Sequence, residues 1–276
     1  MIKQYLQLPK NLLLLFTPLL ASAFLATAPS LAATLAISNS QLDFTNFSQS
    51  PTDIFVNTEV DGMVLNKGGN VFVESDPKAF FGTTPLEASS ITSSLGWGEN
   101  QSYLGFAESE ATIKGLFNIK KNSSFSFNFG SNLTLFTSVD NFEIESAKAS
   151  GKIFFALFDI INNILLTSFS LTGDLTTKAN NDLIKYEAIG HVTLRENSFV
   201  NSVLGAKEEL SIASFNGSIE HFFTYETTLT LIGFNQSQVQ VKATVDEPSS
   251  RFALILSCAL ISVALKRKGQ YINYLR

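Results

Sequence analysis

SSFSFNFGSNLTLF, residues 123–136, decides the fold. Phe125, Phe127 and Phe129 alternate with Ser126 and Asn128, and Leu133 and Leu135 flank Thr134. A period of two puts one set of side chains in a core and the other in water, which is the signature of a half-buried β-strand. The same rhythm returns at 238–242, where Val239 and Val241 alternate with Gln238, Gln240 and Lys242. Asn162-Asn163 separates two strand-like runs, Lys152 to Ile161 and Ile164 to Leu171, and Asn tolerates positive φ well enough to make the pair a two-residue hairpin turn.

Working outward, strands are expected at Ile54–Asn57, Val71–Glu74, Ala111–Ile119, Phe142–Ser146, Leu183–Leu194, Glu209–Phe215, Ser218–Tyr225 and Thr228–Ile232. Gly, Asn, Asp and Ser fall between them at fairly regular spacing. Many short strands with few helical stretches predict an all-β chain, an antiparallel β-sandwich of jelly-roll or Ig-like kind, with its 25 phenylalanines filling the space between two sheets. Residues 76–105, DPKAFFGTTPLEASSITSSLGWGENQSYLG, break the rhythm and read as a long surface connection.

Charge is segregated. All 24 acidic residues lie between Asp43 and Glu247 against twelve bases, so the interior carries −12, while the other seven bases sit at the two ends. An acidic interior without a basic stripe excludes nucleic acid as a partner, because phosphate contacts need clustered Lys and Arg. The only cysteine, Cys258, lies near the C-terminus, so the interior has no disulfide, thiolate zinc site or cysteine nucleophile.

The ends read as addresses. Lys3 and Lys10 precede an apolar run from Leu12 to Leu25 and a small-x-small site at Ser30-Leu31-Ala32, which predicts a signal peptide over 1–32 and a mature chain beginning near Ala33. A single domain is expected over 33–244. Beyond it lie Glu247, Pro248, Ser249 and Ser250, then an apolar run carrying Phe252, Leu254, Ile255, Leu256, Leu260, Ile261, Val263 and Leu265, then Lys266, Arg267 and Lys268. As a helix the run from Phe252 to Leu265 is about 21 Å long, short for a hydrocarbon core of about 30 Å. The basic cluster would stay cytoplasmic, leaving the acidic interior outside.

This tail, 245–276, resembles the PEP-CTERM sorting signal recognised by the bacterial membrane enzyme exosortase, with Asp246 standing where that family has its first proline. The resemblance implies export, a transmembrane stage in the inner membrane, transfer by exosortase and delivery to the cell surface or extracellular matrix. FNGSIEHFFTYETTLTLIGF, 215–234, is similar to the final strands of cyanobacterial proteins bearing this tail.

Catalytic and metal-binding motifs are sparse. The sequence contains no G-x-S-x-G elbow, P-loop, H-E-x-x-H or EF-hand loop. His191 and His221 sit in separate strand-like runs, where two readings compete: hydrogen-bonded strand histidines, or part of a zinc site or a hydrolase triad. Glu108 with Glu110, and Glu143 with Glu145, would each face one side of a strand, as solvent-facing acids or as a calcium or glycosidase pair. Asp174, Asn180, Asn181 and Asp182 form a polar turn that could offer oxygens to calcium. Trp97 and Tyr103 form a possible ligand platform for surface polysaccharide. Six Asn-x-Ser/Thr sequons, at Asn46, Asn100, Asn122, Asn132, Asn216 and Asn235, are expected to be surface polarity.

The expectation is a non-catalytic structural or adhesive surface protein with no catalytic residue, resident metal or cofactor, calcium being the ion that its surface oxygens could take up. A carbohydrate-binding module and a secreted hydrolase are the alternatives.

Overall fold

The computed structural model describes residues 32–245 apart from 85, 178–181 and 206. The expected signal peptide, except its last residue Ala32, and the tail with Glu247, Pro248, Ser249, Ser250, the apolar run and Lys266, Arg267 and Lys268 lie outside the described residues. The described chain is all-β: fourteen strands and no helix. They run β1 (Ala32–Thr45), β2 (Asp53–Lys67), β3 (Asn70–Ser75), β4 (Lys78–Thr83), β5 (Leu86–Asn100), β6 (Ser102–Ile119), β7 (Ser123–Val139), β8 (Glu145–Asp159), β9 (Ile164–Thr176), β10 (Leu183–Gly190), β11 (Val192–Leu194), β12 (Phe199–Val203), β13 (Glu208–Phe223) and β14 (Thr227–Ala243).

Two antiparallel sheets pack face to face. One has the order β11-β13-β7-β1-β5-β3, with β12 also on β13 and β4 also on β5; the other has the order β10-β9-β8-β14-β6-β2. Every named strand pair is antiparallel; a single parallel bridge joins Gly68 to Ser102. The 123–136 stretch lies within β7, at the centre of its sheet, and its odd-numbered residues from Phe125 to Leu135 all point inward.

The core has two chemistries. At one end Phe155 is fully buried against the rings of Phe44, Phe127, Phe129 and Phe169, with centroids 4.8–6.0 Å apart. Each such ring contributes on the order of 2–3 kcal/mol of transfer free energy. Farther along β1 and β5 the core is hydroxyl-rich. Ser40 Oγ lies 2.6 Å from Thr92 Oγ1 and 3.2 Å from Ser237 Oγ, and Thr92 Oγ1 lies 2.9 Å from Ser237 Oγ. Across the sheets, Ser94 Oγ donates to Ser237 O at 2.9 Å and Asn235 Nδ2 to Ser90 O at 2.7 Å. Burying Ser40, Thr92, Ser94 and Ser237 costs little only because they satisfy one another and the facing backbone, whereas Asn235 Oδ1 is buried without a partner.

That network corrects the reading of 76–105. Most of the segment is strand: β4, β5 and the start of β6. In β5 the inward residues are Ser90, Thr92, Ser94, Gly96 and Gly98, while Ile91 and Trp97 face out, so hydropathy runs opposite to burial. Other boundaries differ as well: the expected Glu209–Phe215 and Ser218–Tyr225 are one strand, β13, and the expected Leu183–Leu194 is broken at His191 into β10 and β11. β1 supplies a central strand where none was expected, β8 begins at Glu145 with 142–144 in a turn, and the turn after β8 has four residues, 160–163, rather than two. Asn163 takes φ 54° there, the left-handed conformation that Asn accepts more readily than most residues.

Candidate functional site

The histidines come together. The turn after β8, the link between β10 and β11, and the β13–β14 hairpin meet at the phenylalanine-rich end of the core. His221 is in register with Phe125 on β7 and therefore points to the inner side of its sheet. His191 follows Gly190, whose φ of 80° turns the chain between β10 and β11, and its backbone N–H donates to Thr167 Oγ1 at 3.1 Å. The two imidazole centroids lie 5.3 Å apart with planes at 70°, and His221 also packs on Phe223 at 4.5 Å.

Behind the pair is Asp159, fully buried. Its Oδ1 accepts from Thr227 Oγ1 at 2.6 Å and from the Asn162 backbone N–H at 3.1 Å; its Oδ2 accepts from Asn162 Nδ2 at 2.8 Å and Tyr225 OH at 3.1 Å. Burial pushes this carboxyl's pKa up, but the hydrogen bonds from Thr227, Asn162 and Tyr225 outweigh it and hold the acid below the usual carboxylate range. Burial holds the His221 pKa down, helped by the neighbouring His191, while the charge of Asp159 pulls the other way. The Tyr225 hydroxyl is pushed up by its hydrogen bond to Asp159.

This end does not form a hydrolytic triad. The Asp159 oxygens are occupied by Thr227, Asn162 and Tyr225, and among the described residues neither imidazole bonds a serine or a carboxylate. Nor is there, among the described residues, a group of three or more His, Cys, Asp or Glu side chains placed to hold a metal.

The other candidates are dispersed. Glu108 and Glu110 do share the outer face of β6, where Gln236 Nε2 donates to both at 2.6 and 2.9 Å and Gln238 Nε2 donates to Glu108 at 3.1 Å. Across on β2 stand Asp61 and Glu59 in register. Burial and the charges of Glu108 and Glu59 push the Glu110 carboxyl up. Glu143 and Glu145 are not a pair on one strand face, because Glu143 lies in the turn while Glu145 is fully buried and accepts the backbone N–H groups of Asp140 and Asn141 at 2.7 and 2.8 Å. Burial raises the Glu145 pKa. Asp182 accepts from the Thr176 N–H at 2.8 Å and Asp174 pairs with Lys148 at 3.3 Å, so these two acids serve β9 and β8 separately. Asn180 and Asn181 lie outside the described residues.

The aromatic platform does not assemble. Trp97 is 38% exposed on the outer face of β5, whereas Tyr103 is 4% exposed and faces the core. The Tyr103 hydroxyl sits 3.0 Å from Thr34 Oγ1 and 3.1 Å from Gly98 O, and burial pushes its pKa up to about 12. Gly98 is required here, because a Cβ at that position would overlap the Tyr103 ring. Among the sequons, Asn235 is fully buried and serves the hydroxyl network rather than the surface.

Sequence reasoning missed Asp159 and its donors altogether. An Asp three residues before Asn at the start of a turn was the available signal, since Asp side chains commonly bond the backbone of the turn they open.

No family model matches the chain, and no curated protein or solved structure is significantly similar to it.

Proposed function

We propose that this chain is an exported, non-catalytic surface or matrix protein whose β-sandwich acts in structure or adhesion, delivered by its signal peptide and handed on by exosortase at the tail. Of the two sandwich types, the connectivity favours the jelly-roll kind, because β1–β2, β2–β3, β5–β6, β6–β7, β7–β8, β10–β11 and β13–β14 each step from one sheet to the other.

The observation that carries the adhesive reading is the edge strand β2. Among the described residues it pairs with β6 along one side only, over fifteen residues. Phe55, Val56, Val60, Met63, Val64 and Leu65 are all 43–63% exposed on it. A long edge with exposed apolar side chains is a template for adding a further strand; β2 also carries Asp53, Glu59, Asp61 and Lys67, and charge of that kind selects which strand can add. The occupant to which this reading commits is a neighbouring copy of the chain. The six side chains expose on the order of 500 Å², against ~800 Å² per partner in a standard interface, before the strand's own backbone is counted.

The test is to fractionate producing cells and to weigh the mature protein in each fraction, for wild type, Pro248→Ala and Val60→Lys. Wild type should appear on the surface without its tail, Pro248→Ala should stay in the inner membrane at full length, and Val60→Lys should be processed but shed into the medium. Identical location and mass for all three would sink both halves of the reading.

A further inference from the structure

The geometry points to a two-histidine chelate for a late first-row transition ion, with Zn2+ as the reference case, formed by His191 and His221 at the phenylalanine-rich end of the sandwich. It goes beyond the reading above and does not depend on it.

The distance is the first ground. Imidazole nitrogens bind Zn2+ at about 2.0–2.1 Å, so two rings meeting at a tetrahedral angle on one ion place their centroids about 5 Å apart. The observed separation is 5.3 Å, with the planes inclined at 70° rather than stacked. Stacked rings would not converge their nitrogens on one point.

Availability is the second ground. Among the described residues neither imidazole has a side-chain hydrogen bond, although His221 is half-buried at the rim of the core. Asp159 stands close enough for its negative charge to act on His221, which favours a cation at this end while its oxygens stay with Thr227, Asn162 and Tyr225.

The donor set decides which ion. Two nitrogens suit Zn2+, Ni2+ or Cu2+, whereas calcium takes six to eight oxygens. His191 is exposed, so the remaining coordination positions face solvent and are open to water or an outside ligand, as in sites where the protein supplies only part of the shell.

The test uses the full chain carrying Cys258→Ser, which removes its only thiol, stripped with a chelator and titrated with ZnCl2 by calorimetry. One Zn2+ per chain with micromolar affinity is expected, weakened at least ~10-fold by His191→Ala and equally by His221→Ala. Ni2+ in place of Zn2+ should bind with the same one-to-one stoichiometry, and lose that binding in both variants. No binding, or binding that survives either substitution, overturns the chelate. His191 lies on the surface, so its alanine variant decides the matter even where His221→Ala fails to fold.

Discussion

Thr92→Val probes the hydroxyl core directly. Thr92 is fully buried on β5, and its Oγ1 is the shared vertex of a triangle with Ser40 Oγ at 2.6 Å and Ser237 Oγ at 2.9 Å. Valine keeps the β-branch and replaces the hydroxyl with a methyl. Two hydrogen bonds vanish, at about 0.5–1.5 kcal/mol each. Ser40 and Ser237 keep each other at 3.2 Å and the carbonyls of Gln236 and Thr92 at 3.4 and 3.2 Å, so neither is orphaned and the full desolvation penalty is not incurred. Burying one more methyl returns about 0.8 kcal/mol. The methyl must also sit where an oxygen now lies 2.6 Å from Ser40, closer than carbon and oxygen tolerate, and such crowding typically costs 1–3 kcal/mol. The expected net loss is about 3 kcal/mol, read as a lower urea midpoint at unchanged m-value. A loss under about 0.5 kcal/mol, or a gain, would refute the claim that this half of the core is held by its hydroxyls.

Two other outcomes are expected. Phe155→Ala, which empties a site ringed by four phenylalanines, should cost about 3–5 kcal/mol by the same urea assay, whereas Ile161→Ala, 64% exposed in the turn after β8, should stay within about 0.5 kcal/mol. The third concerns pH, in chelator. His221 has its pKa held down by burial and by His191, so on acidification the unfolded chain takes up that proton first; stability is lost as pH falls below the ordinary histidine value of about 6.5 through the lower folded value. The melting temperature of His221→Gln should therefore rise relative to wild type between pH 7.5 and pH 5, and a constant difference across that range would contradict the assignment.

The all-β class was legible in the sequence because Phe125, Phe127, Phe129, Val239 and Val241 report burial through a period of two, and period alone separates strand from helix. The hairpin at Asn163 was legible for a similar reason: a local φ preference needs no distant partner. β1 and β5 were not, since their inward residues include Ser38, Ser40, Ser90, Thr92 and Ser94, and a hydroxyl looks like surface until the opposite sheet supplies its partner 145 residues away at Ser237. The site divides along the same line. That His191 and His221 were the interior's only imidazoles could be counted; that they lie 5.3 Å apart could not, because three connections from both sheets must converge before the rings meet. The fate of Tyr103 also depended on Gly98, whose missing side chain lets the ring lie down inside the core and takes it away from Trp97. Periodicity is a property of one strand read alone and so belongs to the sequence, while close approach, shared hydroxyls and ring pairs are relations between strands, which the folded sheets alone decide.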